Sequence, residues 1–213
     1  MTAAAHPELV EGFAQLPRAA WRLILADPPW QTVLWSGAKR TPTQKAGEDH
    51  YPTLSLAELA ALPVADIAAP DAVLALWVIG SHLDQALALG EAWGFRYVTD
   101  LFFWLKQRRI RPDQLDIFTG DIAEPAIGMG KYTRNQVELC LLFRRGKGVP
   151  VASHAVRQLI VAPKSQHSRK PAAQYDRLEA LFGDIPRLEL FARNPRKGWN
   201  SWGNETDKFA EVA

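Results

Sequence analysis

The chain has 213 residues with 25 Lys+Arg against 23 Asp+Glu, a formal net charge of +2, and 47% hydrophobic residues. That length suits one domain with a full core better than two small ones, and the charge is too mild to identify a nucleic-acid partner by itself. No apolar run reaches the roughly 18–20 residues of a membrane-spanning helix, and Met1 to Gln15 has no basic flank ahead of an apolar stretch, which argues against a secretory signal. The one cysteine, Cys140, sits in the apolar run Leu139–Phe143 and reads as a small buried hydrophobe in a reducing cytoplasm. The five histidines show no zinc-like spacing, so no metal is expected.

In chain order, Trp21–Ala26 is a short apolar run stopped by Asp27-Pro28-Pro29, and it predicts a buried strand. Gln31–His50 is polar and without periodicity, and a loop of about 20 residues in a compact domain is usually functional or disordered. Ser55 with Glu58 three positions on is a capping-box signature for a helix to about Leu62. Ala72–Val78 predicts a second buried strand, and Ser81 or His82 to Trp93 a helix closed by Gly94. Tyr97–Lys106 predicts an aromatic-rich strand, Gln107–Asn135 a second long irregular stretch, Gln136–Arg144 a fourth strand and Gln158–Ala162 a weak fifth. Lys170-Pro171 opens a helix to about Phe182, with Pro171 in its first turn, and Arg187–Ala192 is the final core strand. Apolar strands separated by helices predict an α/β domain with a mostly parallel sheet. In such sheets ligands bind beyond the carboxyl ends of the strands, so the strand-ending loops are where chemistry is expected.

The sharpest of these loops is Asp27-Pro28-Pro29-Trp30. Two prolines fix φ and predict a stiff, extended backbone, with the Asp27 carboxylate and the Pro28 carbonyl pointing outward together. Trp30 offers a flat face beside them. Two rigid acceptors next to a stacking surface suit an aromatic amine that donates two N–H bonds, as adenine and cytosine do. The bland alternative is a proline-rich turn with a buried tryptophan, in which Asp27 only caps. Four basic clusters lie in apparent loops: Lys106, Arg108, Arg109 and Arg111; Arg144, Arg145 and Lys147; Lys164, Arg169 and Lys170; Arg193, Arg196 and Lys197. Each alone is usually a solvated face, but together they favour phosphate contact.

The order of several segments resembles the MT-A-seventy-like family of adenine N6 methyltransferases. The segments are Ala26–Trp30, Tyr51–Ser55, Leu76–Val78, Trp104–Lys106, Gly130–Asn135 leading to Glu138–Cys140, His167–Pro171, Glu189–Arg193 and Gly198–Glu205. The likeness runs from about Arg22 to Glu205, within a single domain of 1–213. It implies a Rossmann-like methyltransferase fold with helices on both faces and permuted order, the catalytic strand early and the cofactor strand late. It implies S-adenosyl-L-methionine as methyl donor and N6 of adenine in nucleic acid as acceptor, with DNA ahead of RNA.

Residue by residue, the resemblance makes Asp27 catalytic and adjacent to the cofactor, with Pro28, Pro29 and Trp30 completing the motif. Asp27 and the Pro28 carbonyl accept the amine N–H bonds, freeing the nitrogen lone pair, so positioning supplies much of the rate and no covalent enzyme intermediate is needed. Trp30 and Tyr51 are candidates to line the base pocket, where stacking is worth roughly 1–3 kcal/mol, and a base in a duplex would first be flipped out. Asn135 and Glu138 match positions near the family's site. Lys170 matches a lysine that pairs with the cofactor carboxylate, and Arg193, Asn204 and Glu205 match further cofactor positions, the last two on the ribose hydroxyls. Lys106, Arg108, Arg109 and Arg111 are the expected nucleic-acid backbone contacts. Trp77 and Trp93 are expected in the core. Competing readings are a non-catalytic subunit of the same fold that binds nucleic acid or a partner, and the same chemistry on a small molecule or protein amide. A homodimer or a partner subunit is compatible with all of these.

Overall fold

The structure, a computed structural model, describes residues 7–31, 53–107, 126, 128, 132–164 and 169–203. By its contacts the chain divides into two compact units, interleaved in sequence: Met1–Thr99 with Leu141–Val149 and Ile185–Ala213, and Asp100–Cys140 with Pro150–Asp184. The described strands, β1 (Trp21–Ala26), β2 (Ala68–Val78), β3 (Arg96–Gln107), β4 (Val137–Arg145), β5 (Leu159–Pro163), β6 (Arg187–Leu190) and β7 (Asn200–Trp202), follow the seven-stranded order β5-β3-β4-β2-β1-β6-β7.

The first unit is built on β1 (Trp21–Ala26), which pairs in parallel with β2 (Ala68–Val78) on one side and β6 (Arg187–Leu190) on the other. β6 in turn pairs in parallel with β7 (Asn200–Trp202). Leu23–Ala26 and Leu74–Val78 are all nearly inaccessible, as unbroken apolar runs are when both faces of a parallel sheet are covered. The first strand has the residues expected of it. β2 begins four residues earlier than predicted, at Ala68 rather than Ala72. Pro70 lies in that early part and reads locally as a strand breaker. The register slips between Trp21 and Leu23 on β1, and this irregularity accommodates it.

Between β1 and β2 lie α2 (Leu56–Ala60) and α3 (Val64–Ile67). The capping box is formed: Ser55 Oγ accepts from Glu58 N, and Glu58 Oε2 accepts from Ser55 N at 2.8 Å. A 3-10 turn (Gly80–His82) leads into α4 (Leu83–Ala92). That helix ends on Gly94 (φ 81°), with Gly94 N donating to Glu91 O and Phe95 N to Gly90 O, a Schellman closure that requires a left-handed residue there. Mid-helix Gly90 serves a different purpose. A Cβ on it would lie 2.2 Å from Cε1 of Phe143, a fully buried residue of β4 (Val137–Arg145), so only glycine lets helix and ring approach. Trp77 and Trp93 are core residues, 1% and 0% exposed.

Three elements of this unit have no clear local signal. α1 (Pro7–Ala14) is short and is held where Phe13 meets Trp202 edge-on at 4.9 Å. α3 and β7 span only four and three residues.

The second unit contains the larger part of β3 (Arg96–Gln107), the start of β4, β5 (Leu159–Pro163) and α5 (Ala173–Phe182). β3 and β5 pair in parallel from Phe103↔Leu159 to Gln107↔Pro163. Trp104 is fully buried and donates Nε1 to Ala162 O at 3.0 Å. α5 starts two residues after Pro171, whose carbonyl accepts from Gln174 N at 3.0 Å, so the proline precedes the first turn. Arg177 of α5 donates to the Arg157 and Leu159 carbonyls at 2.6 and 2.7 Å, tying the helix to the start of β5. Cys140 is buried.

Candidate active site

In the first unit, β1 and β6 end level, Ala26 opposite Leu190. From this pair the chain leads on to neighbours on opposite sides, β1 to β2 and β6 to β7. This is a topological switch point, where adjacent strand ends leave a crevice beyond the sheet. Asp27, half-buried, is the first residue past β1 at that crevice. Phe191, the first past β6, has φ 61° and packs edge-on against Trp202 at 5.4 Å. Nothing local favours a left-handed phenylalanine, so no sequence pattern marks this turn.

The Asp27–Trp30 segment does not run straight. Trp30 N donates to Pro28 O at 2.8 Å, closing a three-residue turn about Pro29, whose ring-fixed φ suits an inverse γ-turn. The extended backbone expected from two prolines is therefore corrected: ψ at Pro29 is not fixed by its ring, and the turn closes there. Pro28 O has already accepted one bond, leaving its second lone pair for another donor. Pro29 O accepts from Leu54 N at 2.9 Å, and Trp30 bridges to Leu54 in parallel fashion. Trp30 is 7% exposed, with Nε1 donating to Trp77 O at 3.1 Å, so its indole is a wall of the turn more than an open face. Arg193, half-buried, follows β6.

The second unit holds a compact ionic cluster. Glu138, at the start of β4, places Oε1 2.5 Å from Lys106 Nζ and Oε2 3.2 Å from Lys170 Nζ. The three side chains are 7, 15 and 9% exposed respectively. Burial alone would raise the Glu138 carboxyl. The charges of Lys170 and Lys106, with their hydrogen bonds, outweigh it and hold Glu138 below its ordinary value of 4.5. Lys106 also lies over the Trp104 ring at 5.4 Å. Lys106 thus differs from the solvent-facing phosphate contact expected of it: its ammonium is turned to Glu138. Period-two alternation was the signal available, because Phe102, Trp104 and Lys106 share one face of β3 and the first two are buried. Asn135 pairs with Gly128 through two backbone bonds.

Asp27 to Trp30 belong to the first unit, and Glu138, Lys106 and Lys170 to the second. Tyr51, Arg108, Arg109, Arg111, Asn204 and Glu205 lie outside the described residues. Arg145, from another of the basic clusters, donates Nη1 to Ala65 O and so has a structural partner.

Residues 21–205 match the MT-A70 family. The chain belongs to that family. Among its relatives is a type II methyltransferase, M.MunI from Mycoplasma sp, 37% identical over 92% of this chain and 82% of the relative. The N6-methyladenosine RNA methyltransferase MTA1 of Cryphonectria parasitica is 31% identical over 89% of this chain and 52% of its own length. The human N(6)-adenine-specific methyltransferase METTL4 is 30% identical over 92% of this chain and 39% of its own. The chain therefore spans most of the first relative and about half or less of the other two. This MT-A70 chain is a methyltransferase with an α/β fold. Among its described residues no helix is long and apolar enough to cross a membrane, and no group of three or more His, Cys, Asp or Glu side chains could hold a metal ion.

Proposed function

We propose that the protein transfers a methyl group from S-adenosyl-L-methionine to the exocyclic N6 amine of adenine in DNA or RNA. The observation that carries this reading is Asp27-Pro28-Pro29-Trp30 at the carboxyl end of β1, level with the end of β6 at the switch point. The half-buried Asp27 carboxylate and the second lone pair of the Pro28 carbonyl accept the two N–H bonds of the amine. This orients the nitrogen lone pair and holds the base in register, which is the larger part of what such a site must do. Trp30, fixed by Trp77, walls the turn and keeps water from one side.

The cofactor supplies an electrophilic methyl group on a sulfonium. Lys170 suits its carboxylate by charge, since an ammonium with three donors can serve Glu138 and a second acceptor together, and Arg193 is assigned to the cofactor by the family resemblance. Asn204 and Glu205 are assigned to its ribose. Glu138 and Asn135 are assigned to the base side, with Tyr51, and Arg108, Arg109 and Arg111 to the nucleic-acid backbone. The family match over one continuous stretch, 21–205, supports one methyltransferase domain, to which the resemblance assigns a permuted order.

The test is transfer of labelled methyl to four short oligonucleotides, single- and double-stranded DNA and RNA, with Asp27→Ala beside each. Label recovered as N6-methyladenine and lost in the variant supports the reading and selects the nucleic acid. Cofactor binding without transfer to any of the four overturns it in favour of a non-catalytic subunit.

A further inference from the structure

The Asp-Pro-Pro-Trp turn is short of its own means of support. Pro28 and Pro29 have no N–H, so the segment is held largely by groups that reach it from elsewhere. Leu54 N takes Pro29 O, and Trp77 O takes the Trp30 indole. The carbonyl of Gln31, the residue after Trp30, is met by a side chain: His82 Nε2 lies 2.9 Å from Gln31 O. His82 is 7% exposed and closes the 3-10 turn just past β2. Its Nδ1 lies 2.8 Å from Ser81 Oγ, and its ring centroid is 6.0 Å from that of Trp30. A carbonyl oxygen can only accept, so Nε2 must carry the hydrogen. In the neutral ring Nδ1 then accepts from the Ser81 hydroxyl. Both ring nitrogens are satisfied, and the orientation is set at both ends.

We propose that His82 is a positioning residue for the methyl-transfer site, its Nε2–H holding the Gln31 carbonyl and so fixing where the chain leaves Trp30. This rests on the reading of the turn given above. The end of β2 and the turn after it hold the segment twice, by the Trp77 carbonyl on the Trp30 ring and by His82 on the Gln31 carbonyl. Releasing the second grip lets Trp30 and the Pro28 carbonyl drift together. The amine they are to hold then loses its alignment while its contacts remain available, so the loss falls on kcat more than on KM.

Three variants separate this from simple packing. His82→Phe keeps the ring volume and removes the donor. His82→Gln returns a donor near the Nε2 position, and His82→Asn places its amide too short to reach. The expected result is a fall in kcat on the order of ten- to a hundredfold for His82→Phe and His82→Asn, with cofactor affinity and Tm near wild type, and recovery to within about threefold for His82→Gln. Unchanged kcat in His82→Phe, or loss in all three alike with a lowered Tm, overturns the proposal. The ¹⁵N shifts of His82 in the unmodified protein, read where the ring is neutral, provide a readout independent of activity: the Nε2–H tautomer is expected, and the Nδ1–H tautomer overturns the clamp. Should the unmodified protein transfer no methyl at all, the functional reading falls, and the tautomer still decides the clamp.

Discussion

Lys170 Nζ lies 3.2 Å from Glu138 Oε2, and the other oxygen of the same carboxylate is taken by Lys106. One buried anion therefore organises two half-buried cations, and the three side chains stand or fall together.

Glu138→Gln keeps the shape and removes the charge, leaving two ammonium groups facing a neutral amide in a desolvated place. Breaking a buried ion pair on one side costs about 3–5 kcal/mol, so Glu138→Gln should lower the urea midpoint by a corresponding amount. A change below about 1 kcal/mol would mean that the lysines find other acceptors at little cost.

Acid should act on the same cluster. Glu138 has a folded-state pKa below its ordinary value of 4.5. A depressed carboxyl contributes stability that is fully present above the unfolded value and is lost as pH falls through the folded one. The stability gap between wild type and Glu138→Gln should hold steady above about pH 5 and narrow below about pH 4.5. Paired denaturation curves across that range check this, and a gap that persists undiminished to about pH 3 would remove Glu138 as its source.

The basic cluster that looks uniform in sequence should split in solution. Charge reversal at Arg108, Arg109 and Arg111 is expected to weaken nucleic-acid binding and flatten its salt dependence, by up to about 0.9 in the logarithmic slope per lost DNA phosphate contact. Lys106→Met should leave that slope alone and lower stability, because its ammonium serves Glu138. Binding titrations at several salt concentrations, with a melting curve for each variant, separate the two behaviours.

Gly90→Ala tests the packing of α4. Replacing a helix-interior glycine by alanine ordinarily gains about 1 kcal/mol. Here the added methyl would sit 2.2 Å from Cε1 of Phe143, which is fully buried and has nowhere to go. Overpacking of that kind costs typically about 1–3 kcal/mol, so the net effect should be destabilising. Phe143→Leu in the same chain should recover part of the loss, and a Gly90→Ala protein as stable as wild type would contradict the close approach.

Much of the fold is legible because its signals are local. The run Trp21–Ala26 stops at the prolines as a strand must. Ser55 and Glu58 are three residues apart, and Gly94 supplies the left-handed residue that ends α4. The Asp27–Trp30 motif is legible for the same reason, since two prolines in a row leave few conformations open. The turn about Pro29 was not legible, because ψ there is free and was decided by the Trp30 N–H and by Leu54.

What the sequence determined by itself is the order of strands and helices, the caps that begin and end some of them, and the motif from which the chemistry is read. These depend on near neighbours and on a period of two or 3.6 residues. Only the tertiary structure decided that Lys106 faces Glu138 instead of solvent, that His82 reaches a carbonyl 51 residues away, and that Gly90 must yield to Phe143. The physical reason is the same in each case. A charge, a ring nitrogen or a missing methyl takes its meaning from what the register of distant strands and helices puts within a few ångströms of it, and no local pattern carries that information.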